Sequence, residues 1–423
     1  MTKTTPSCCD EFDPGSLSFE QALERIQQSI HPIKGKKNVS IREAAGHILA
    51  QDITSPLNVP PFINSAMDGY AVKAEDLPQT GEQMLKVIGK SFAGAPFDGT
   101  LNTGEAVRIM TGAVVPEGAD TVIMQEHAEL INADKKTSSI KIGCGHRAKQ
   151  NVRNPGDDFF AGDIIIKAGE RLSPAKLGLL ASVGITEFKV TRKPVVAFFS
   201  TGDELKGVGQ TLEPGEIYDS NRYILFGMLQ KMGVDSIDMG VVADIKEEIE
   251  TTLKEAAKIA DMVITSGGAS VGEADFIKII LDEIGEVGFW KIAMKPGKPL
   301  AFGHINDTLF FGLPGNPVSA MATFYQFVQP CLGLLEGETV SEPIRLQAKC
   351  MSKLKKRPGR KDFQRGIMSS DENAQLIVDT TGIQGSHMLS SMAKANCFIV
   401  LERDAGDVEV GDMVEVQPFN ELI

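Results

Sequence analysis

Apolar and polar positions recur with a different period in each stretch of this chain. In LSFEQALERIQQSI, Leu17, Ala22, Leu23, Ile26 and Ile30 form one helical face, and Ser18 and Gln21 stand at capping-box spacing, which predicts a helix. SIREAAGHILA repeats the start signal with Ser40 and Glu43 and predicts a second. From about Pro56 to Ile166 the apolar runs shorten. LKVIGKSF, AVRIMTG, ADTVIMQEHAEL and SSIKIG are apolar or alternating and separated by glycine, the pattern of a β-rich unit. SPAKLGLLASVG then predicts a short helix, with Ser173 as cap, Pro174 at its first position and Gly184 beyond its end.

From Pro194 to about Leu335 two periods alternate. VVAFFS, DMVITS and TLFFGL read as buried strands, and NRYILFGMLQKMG, DIKEEIETTLKEAAKIA, DFIKIILDEIG and PVSAMATFYQFV as helices. This alternation predicts a parallel, doubly wound sheet with helices on both faces. After Glu342, IRLQAKC, FQRGIM, QLIVD, CFIVLE and VEVGDMVEVQ return to short β segments. The expected fold is therefore multidomain, α/β and β. A small helical and β linking domain takes 16–55 plus 156–190, with a β-rich insertion domain at 56–155. A central α/β domain takes 191–338 and a C-terminal β-domain 339–423.

Composition narrows the function classes. With 42% hydrophobic and 23% charged residues the chain is ordinary for a globular protein. A formal net charge of −13 argues against broad nucleic-acid binding and against docking on anionic lipid. The cysteines are scattered, with no C-x-x-C pair, so neither a disulfide framework nor a structural zinc site is expected. MTKTTPSCCDEFDPG lacks the apolar core of a signal peptide, and no run of about 18 uninterrupted apolar residues is present. No membrane association and a location in the reducing cytoplasm are the expectations.

Candidate chemistry concentrates in the second half. KIAMKPGKPLAFG holds Lys295 and Lys298 on either side of a stiff Pro-Gly turn, an arrangement that costs free energy unless an anion sits between them. Acidic residues cluster at strand ends and helix starts: Asp203 and Glu204 in STGDEL, Asp219 in YDSNR, Asp244, Glu273 and Asp275. Helix capping accounts for Asp219, and for Asp244 with Glu247, but not for STGDEL. Carboxylates converging on one sheet edge would repel unless they shared a cation, for which Mg2+ is the natural candidate. SGGASVGEADF follows a strand and precedes a helix, so the amides of a glycine-rich loop there, including Gly267 and Gly268, can face an anion. Its Gly268 to Gly272 segment also fits G-x-S-x-G, an esterase pattern with Ser270 as nucleophile; His304 and His387 lie downstream, but no HGGG-type oxyanion loop is present. GLPGNPVSA sets Pro314, Asn316, Pro317 and Ser319 at a helix start. KLKKRPGRKDFQRG, the most basic run, reads by itself as a solvated face.

Taken in order, NSAMDGYAV, RIMTGAVVPEGADTVIMQE, NVRNPGDD, STGDEL, DSNR, TSGGASVGEADF, MKPGKP, GLPGNPVS, GRKDF and GSHMLSS resemble the MoeA family, the molybdopterin molybdenumtransferases, whose module also forms the E domain of gephyrin. The likeness runs from about Leu17 to Gln417. It implies a central domain of the molybdopterin-binding type in an elongated homodimer whose cleft is completed by the partner subunit. The implied substrates are molybdate and adenylylated molybdopterin. Molybdenum enters the pterin dithiolene and AMP leaves, with a divalent cation required.

The resemblance assigns Lys295, Lys298, Ser319, Arg360 and Ser386 to an oxyanion pocket, with Pro314 and Pro317 stiffening its wall. It assigns Glu204, Asp244 and Asp275 to Mg2+ and to the attacking water. Lys291, Asp68, Thr111, Arg153 and Asp158 match further functional positions, and the last four lie in the β-rich domain and are expected to act across the dimer. A separate molybdopterin adenylyltransferase is expected to supply the substrate. Two departures stand out: Ile63 replaces a frequent aspartate, and Asp157 replaces the usual glutamate. A scaffold role, as gephyrin also has, is the alternative class beside the esterase.

Overall fold

The computed structural model describes residues 15–131, 138–267, 276–339 and 342–419. Its centre is a six-stranded sheet in the order Asp235–Val242, Val195–Thr201, Met262–Ser266, Thr308–Leu313, Pro299–Ile305 and Glu286–Lys291. The first four strands are parallel, as the strand–helix alternation predicts. The last two are antiparallel, a departure from an all-parallel sheet. Its cause is local. Ile305 pairs with Thr308 across Asn306 and Asp307, and Asn306 takes φ 54°, the left-handed conformation that a two-residue hairpin turn requires.

Side-chain alternation divides the apolar residues between the two faces. Val196 and Phe198 join Met262, Ile264 and Phe311 on one face, under the helices Ser220–Met232 and Pro317–Thr323. Ala197 and Phe199 join Val263 and Phe310 on the other, under Lys246–Ile259 and Phe276–Ile284. Strands buried on both faces must be apolar at every position, which is why VVAFFS and TLFFGL stand out in the sequence. One helical run, Pro317–Glu336, has the length and hydropathy of a membrane span, but 83% of it is buried inside the fold, as a core helix.

The C-terminal strands close into a barrel. Lys361–Ser370 pairs with both Leu376–Thr380 and Cys397–Leu401. Leu346–Cys350 and Met413–Pro418 complete the circuit. The short strand Met294–Lys295 of the α/β domain adds to it, parallel to Lys361 and Asp362. The N-terminal helix Phe19–Gln28 carries the expected capping box and packs into the same seam. The Phe19 ring lies 5.2 Å from Phe327 and 5.4 Å from Phe363, and Glu20 pairs with Lys361 at 3.0 Å.

The β-rich unit is a second six-stranded sheet, ordered Thr121–Met124, Gly69–Val72, Glu105–Ile109, Glu82–Ser91, Ser138–Gly143 and Ala128–Ile131. The linking region pairs Lys36–Ser40 with Glu187–Thr191 and includes the predicted helix Pro174–Ser182. SIREAAGHILA is not a helix. Ser40 ends a strand, Gly46 takes φ 76°, and Ile48 and Leu49 bridge to Arg171 and Val190. Tertiary pairing of those apolar residues overrides a local start signal.

Arg192 fastens the linking region to the sheet. It grips Asp261 through both guanidinium arms, at 2.7 and 2.6 Å, while Asp261 also accepts from the Val195 amide. Burial would raise the Asp261 pKa, but these hydrogen bonds outweigh it and hold the carboxyl below its ordinary value. A depressed carboxylate contributes stability above its unfolded pKa and loses it as pH falls through the folded pKa. Asp261→Asn is therefore expected to cost about 1–2 kcal/mol at neutral pH. The difference from the parent should shrink in acid. Thermal unfolding at pH 7 and below pH 4 checks this, and a constant difference would refute it.

Candidate functional site

The parallel strands deliver Thr201, Val242, Ser266 and Leu313 to one sheet edge, where their loops gather. The chain leaves Val195–Thr201 for a neighbour on one side and then returns to one on the other. This edge is therefore a topological switch point, the place where ligands bind in open α/β sheets. Gly267 lies here at φ 96°, and a Cβ on it would stand 2.7 Å from the Thr201 carbonyl, so only glycine fits. Asn221 braces the loops from below. Its Nδ2 donates to Ser266 Oγ and to the Gly315 carbonyl, each at 2.7 Å. Asn221 was visible in the sequence only as part of DSNR.

The acidic groups meet at the same edge. Asp219 caps its helix by accepting from the Arg222 amide, as expected. Asp244 does not cap. The helix begins at Lys246 with Ile245 at the cap position, and the Asp244 amide donates to Asp203 Oδ1 at 3.1 Å. The Asp244 carboxyl is raised above its ordinary pKa by burial first, then by the charges of Asp203 and Glu204. No ion pair among the described residues neutralises these three acids. Unrelieved like charge on hard oxygen donors fits a divalent cation such as Mg2+. Within the described residues no three acids stand at ligand spacing. Asp275, Gly268 and Ser270 lie outside the described residues.

The basic groups gather along the seam between the sheet domain and the barrel. The Ile292 amide donates to the Lys298 carbonyl at 2.7 Å and closes the lysine turn, within which the Lys295–Pro296 bond is cis. Gly297 takes φ 105°, and a Cβ there would meet Thr323 Oγ1 at 2.6 Å, so the turn lies against the helix Pro317–Thr323. That helix starts with Pro317 and carries buried Ser319. Its Val318 amide donates to the Ser386 carbonyl at 3.2 Å. On the other side, Lys295 registers with Asp362, two residues beyond Arg360. Lys291 ends the edge strand in register with Pro299, at the mouth of the turn. Pro314 precedes the Gly315 carbonyl that Asn221 holds.

The basic run KLKKRPGRKDFQRG is a solvated face only in part: Lys353, Lys355 and Arg357 are exposed. Lys356, Lys361, Asp362 and Arg365 are buried, the last three because the strand Lys361–Ser370 that carries them enters the barrel wall. Burial lowers the Lys356 pKa; Asp362 opposes this, and the charges of Arg360 and Lys295 add to it. Burial raises the Asp362 carboxyl against the pull of Gln364 and then Lys295. Lys295 and Arg360 thus both act on Lys356, and Lys295 and Lys356 both act on the buried Asp362 carboxylate. Lys356, Asp362 and Arg365 were not singled out from the sequence; the signal was the break in polarity at DFQRG inside a basic run.

In the β-rich domain Asp68 and Thr111 form one unit. Asp68 Oδ1 accepts from the Thr111 amide at 2.7 Å and its hydroxyl at 2.8 Å, and these bonds hold the carboxyl below its ordinary pKa. Arg108 donates to the Gln125 side chain and lies 4.9 Å from the centre of the Tyr70 ring. Arg153 follows in the strand paired with Asn64 and Ser65, and the Asp158 amide donates to the Val59 carbonyl at 3.0 Å. Both side chains are exposed. Among the described residues, no hydrogen bond or ion pair joins these four positions to the lysine turn or the acidic edge.

Comparison with known proteins matches this arrangement along the chain. Residues 17–184 match the MoeA N-terminal region (domain I and II), 197–333 a probable molybdopterin binding domain, and 347–419 the MoeA C-terminal region (domain IV). A molybdopterin molybdenumtransferase of Haemophilus influenzae is 47% identical, over 96% of this chain and 100% of its own. Gephyrin of Dictyostelium discoideum is 32% identical over 95% of this chain and 62% of its own length. The crystal structure of a molybdopterin biosynthesis moeA protein from Pyrococcus horikoshii OT3 superposes with a TM-score of 0.82 at 28% identity, covering 96% of this chain and 100% of that one. From its N-terminal helix to its closing barrel strand, the chain belongs to the MoeA family of molybdopterin molybdenumtransferases.

Proposed function

We propose that this transferase inserts molybdenum from molybdate into adenylylated molybdopterin, with Mg2+-dependent cleavage of the adenylate and release of AMP. The observation that carries this reading is the strand pairing that sets Lys295 beside the Arg360 segment, against the helix bearing Ser319. A tetrahedral dianion gives up its hydration only where cations and hydroxyl donors replace it. Lys295, Lys298 and Arg360 supply the charge. Ser319 and Ser386 supply hydroxyls. The prolines Pro314 and Pro317 restrict the wall.

The acidic edge takes the adenylate. Glu204 and Asp244, with Asp275, hold Mg2+ and orient the water that attacks the α-phosphate. When bound, the cation polarises the phosphoryl oxygens and offsets their growing charge. Gly267, whose amide donates to the Leu313 carbonyl, anchors the glycine-rich loop, and the resemblance assigns Gly268 and Ser270 of that loop to the phosphates. Asp68, Thr111, Arg153 and Asp158 complete the cleft from the other subunit of a homodimer, a reading supported by the absence, among the described residues, of any hydrogen bond or ion pair between them and the same chain's lysine turn. Lys291 borders the pocket. A separate molybdopterin adenylyltransferase supplies the substrate, and the reducing cytoplasm suits both the dithiolene and the unpaired thiols of Cys331, Cys350 and Cys397.

The test is AMP release from adenylylated molybdopterin with Mg2+, with and without molybdate. Release that requires both ions, in step with metal-loaded cofactor, is expected. Release without molybdate would reduce the protein to a hydrolase. Tight binding without release would favour a scaffold.

A further inference from the structure

Arg365 has one of the largest fully buried side chains described, at 1% exposure. It lies in the barrel strand Lys361–Ser370, and it forms no ion pair among the described residues. Burial lowers its pKa to about 10, with the Asp362 charge opposing the shift. A buried guanidinium without a bonded carboxylate is a poor way to stabilise a barrel, since an apolar side chain of similar volume fills that space without desolvation cost. Its hydrogen bonds show what it does instead.

Arg365 is fastened to one loop. Its Nε donates to Ser391 Oγ at 3.2 Å and one terminal nitrogen to the Gly385 carbonyl at 3.1 Å. Its amide donates to Gln384 Oε1 at 2.8 Å, and its carbonyl accepts from Gln384 Nε2 at 3.1 Å. The bracket from Gln384 to Ser391 encloses Ser386, whose carbonyl meets the Val318 amide at the start of the Ser319 helix. The guanidinium therefore ties Gly385, the neighbour of Ser386, to Ser391 in the short helix Leu389–Lys394, while the Ser386 carbonyl is held by the Val318 amide.

We infer that Arg365 is a positioning residue for the oxyanion pocket: by clamping Gly385 and Ser391 it fixes where Ser386 stands relative to Ser319. The inference rests on the reading of that pocket as the molybdate site. It assigns no contact between Arg365 and substrate. The planar fork holds two acceptors in one fixed geometry, which the rotatable donors of an ammonium on a flexible stem do less well.

The experiment measures molybdate-dependent AMP release for Arg365→Met, Arg365→Lys, Ser391→Ala and Lys295→Ala, with thermal unfolding of each. Arg365→Met should raise the molybdate KM about tenfold while the KM for adenylylated molybdopterin stays within about twofold, with Arg365→Lys recovering part of the loss. Ser391→Ala removes one acceptor without touching the charge and should raise the molybdate KM about threefold. It keeps the inference testable if Arg365→Met fails to fold. A lowered unfolding temperature with unchanged molybdate KM in Arg365→Lys and Ser391→Ala would make Arg365 a barrel residue only and overturn the inference. An unchanged molybdate KM in Lys295→Ala would instead overturn the pocket itself.

Discussion

Lys295→Ala is expected to lower kcat/KM for molybdate by at least about a hundredfold, the usual cost of removing one preorganised donor from a transferring oxyanion. The lysine is exposed at the side chain but fixed at the backbone, since residues 294 and 295 are strand-paired with Lys361 and Asp362. Its loss would leave Arg360 and Lys298 to balance the dianion. It would also remove one of the groups, after Gln364, that oppose the raised pKa of the buried Asp362 carboxylate. The fold should survive, because the adjacent Pro296 and Gly297 carry the packing contact with the helix. Full activity in a folded Lys295→Ala protein would place the oxyanion elsewhere.

The second large effect is one of complementation. Asp68→Ala and Lys295→Ala should each be close to inactive as homodimers. Mixed after reversible dissociation, they should regain activity. Equal mixing gives mixed dimers in which one cleft carries both changes and the other neither, so about a quarter of all clefts are intact. The structure supplies the reason to expect this. Asp68 is already ordered by the Thr111 amide and hydroxyl, as a residue prepared for an external ligand would be, and its hydrogen bonds lie within its own domain. Recovery near zero, with heterodimers demonstrated by mass, would mean that each chain builds its own cleft.

Much of the α/β domain was legible because its strands are buried on both faces and its helices on one, so period and polarity report directly on layers. VVAFFS, DMVITS and the Asp219 cap are examples. The lysine turn, the acidic edge and Asp68 were legible as motifs. Other features were hidden, for a common reason: the deciding contact is distant in sequence. Ser40 and Glu43 look like a helix start until Ile48 bridges to Arg171. Asp244 looks like a cap until its amide is seen bonded to Asp203, 41 positions away. The basic run looks solvated until the barrel closes over Lys356 and Arg365. Periodicity records which face of an element is buried, not what lies opposite.

The strand Met294–Lys295 has a mechanical consequence. A lysine beside a Pro-Gly turn would, with its turn alone to hold it, be free to swing. Here its own main chain is stitched into the wall of another domain, and Phe19, Phe327 and Phe363 wedge the same joint. These contacts tie the barrel to the sheet domain directly beside the lysine turn. On the proposed reading, the metal oxyanion would be met by a lysine whose backbone is held from two domains at once.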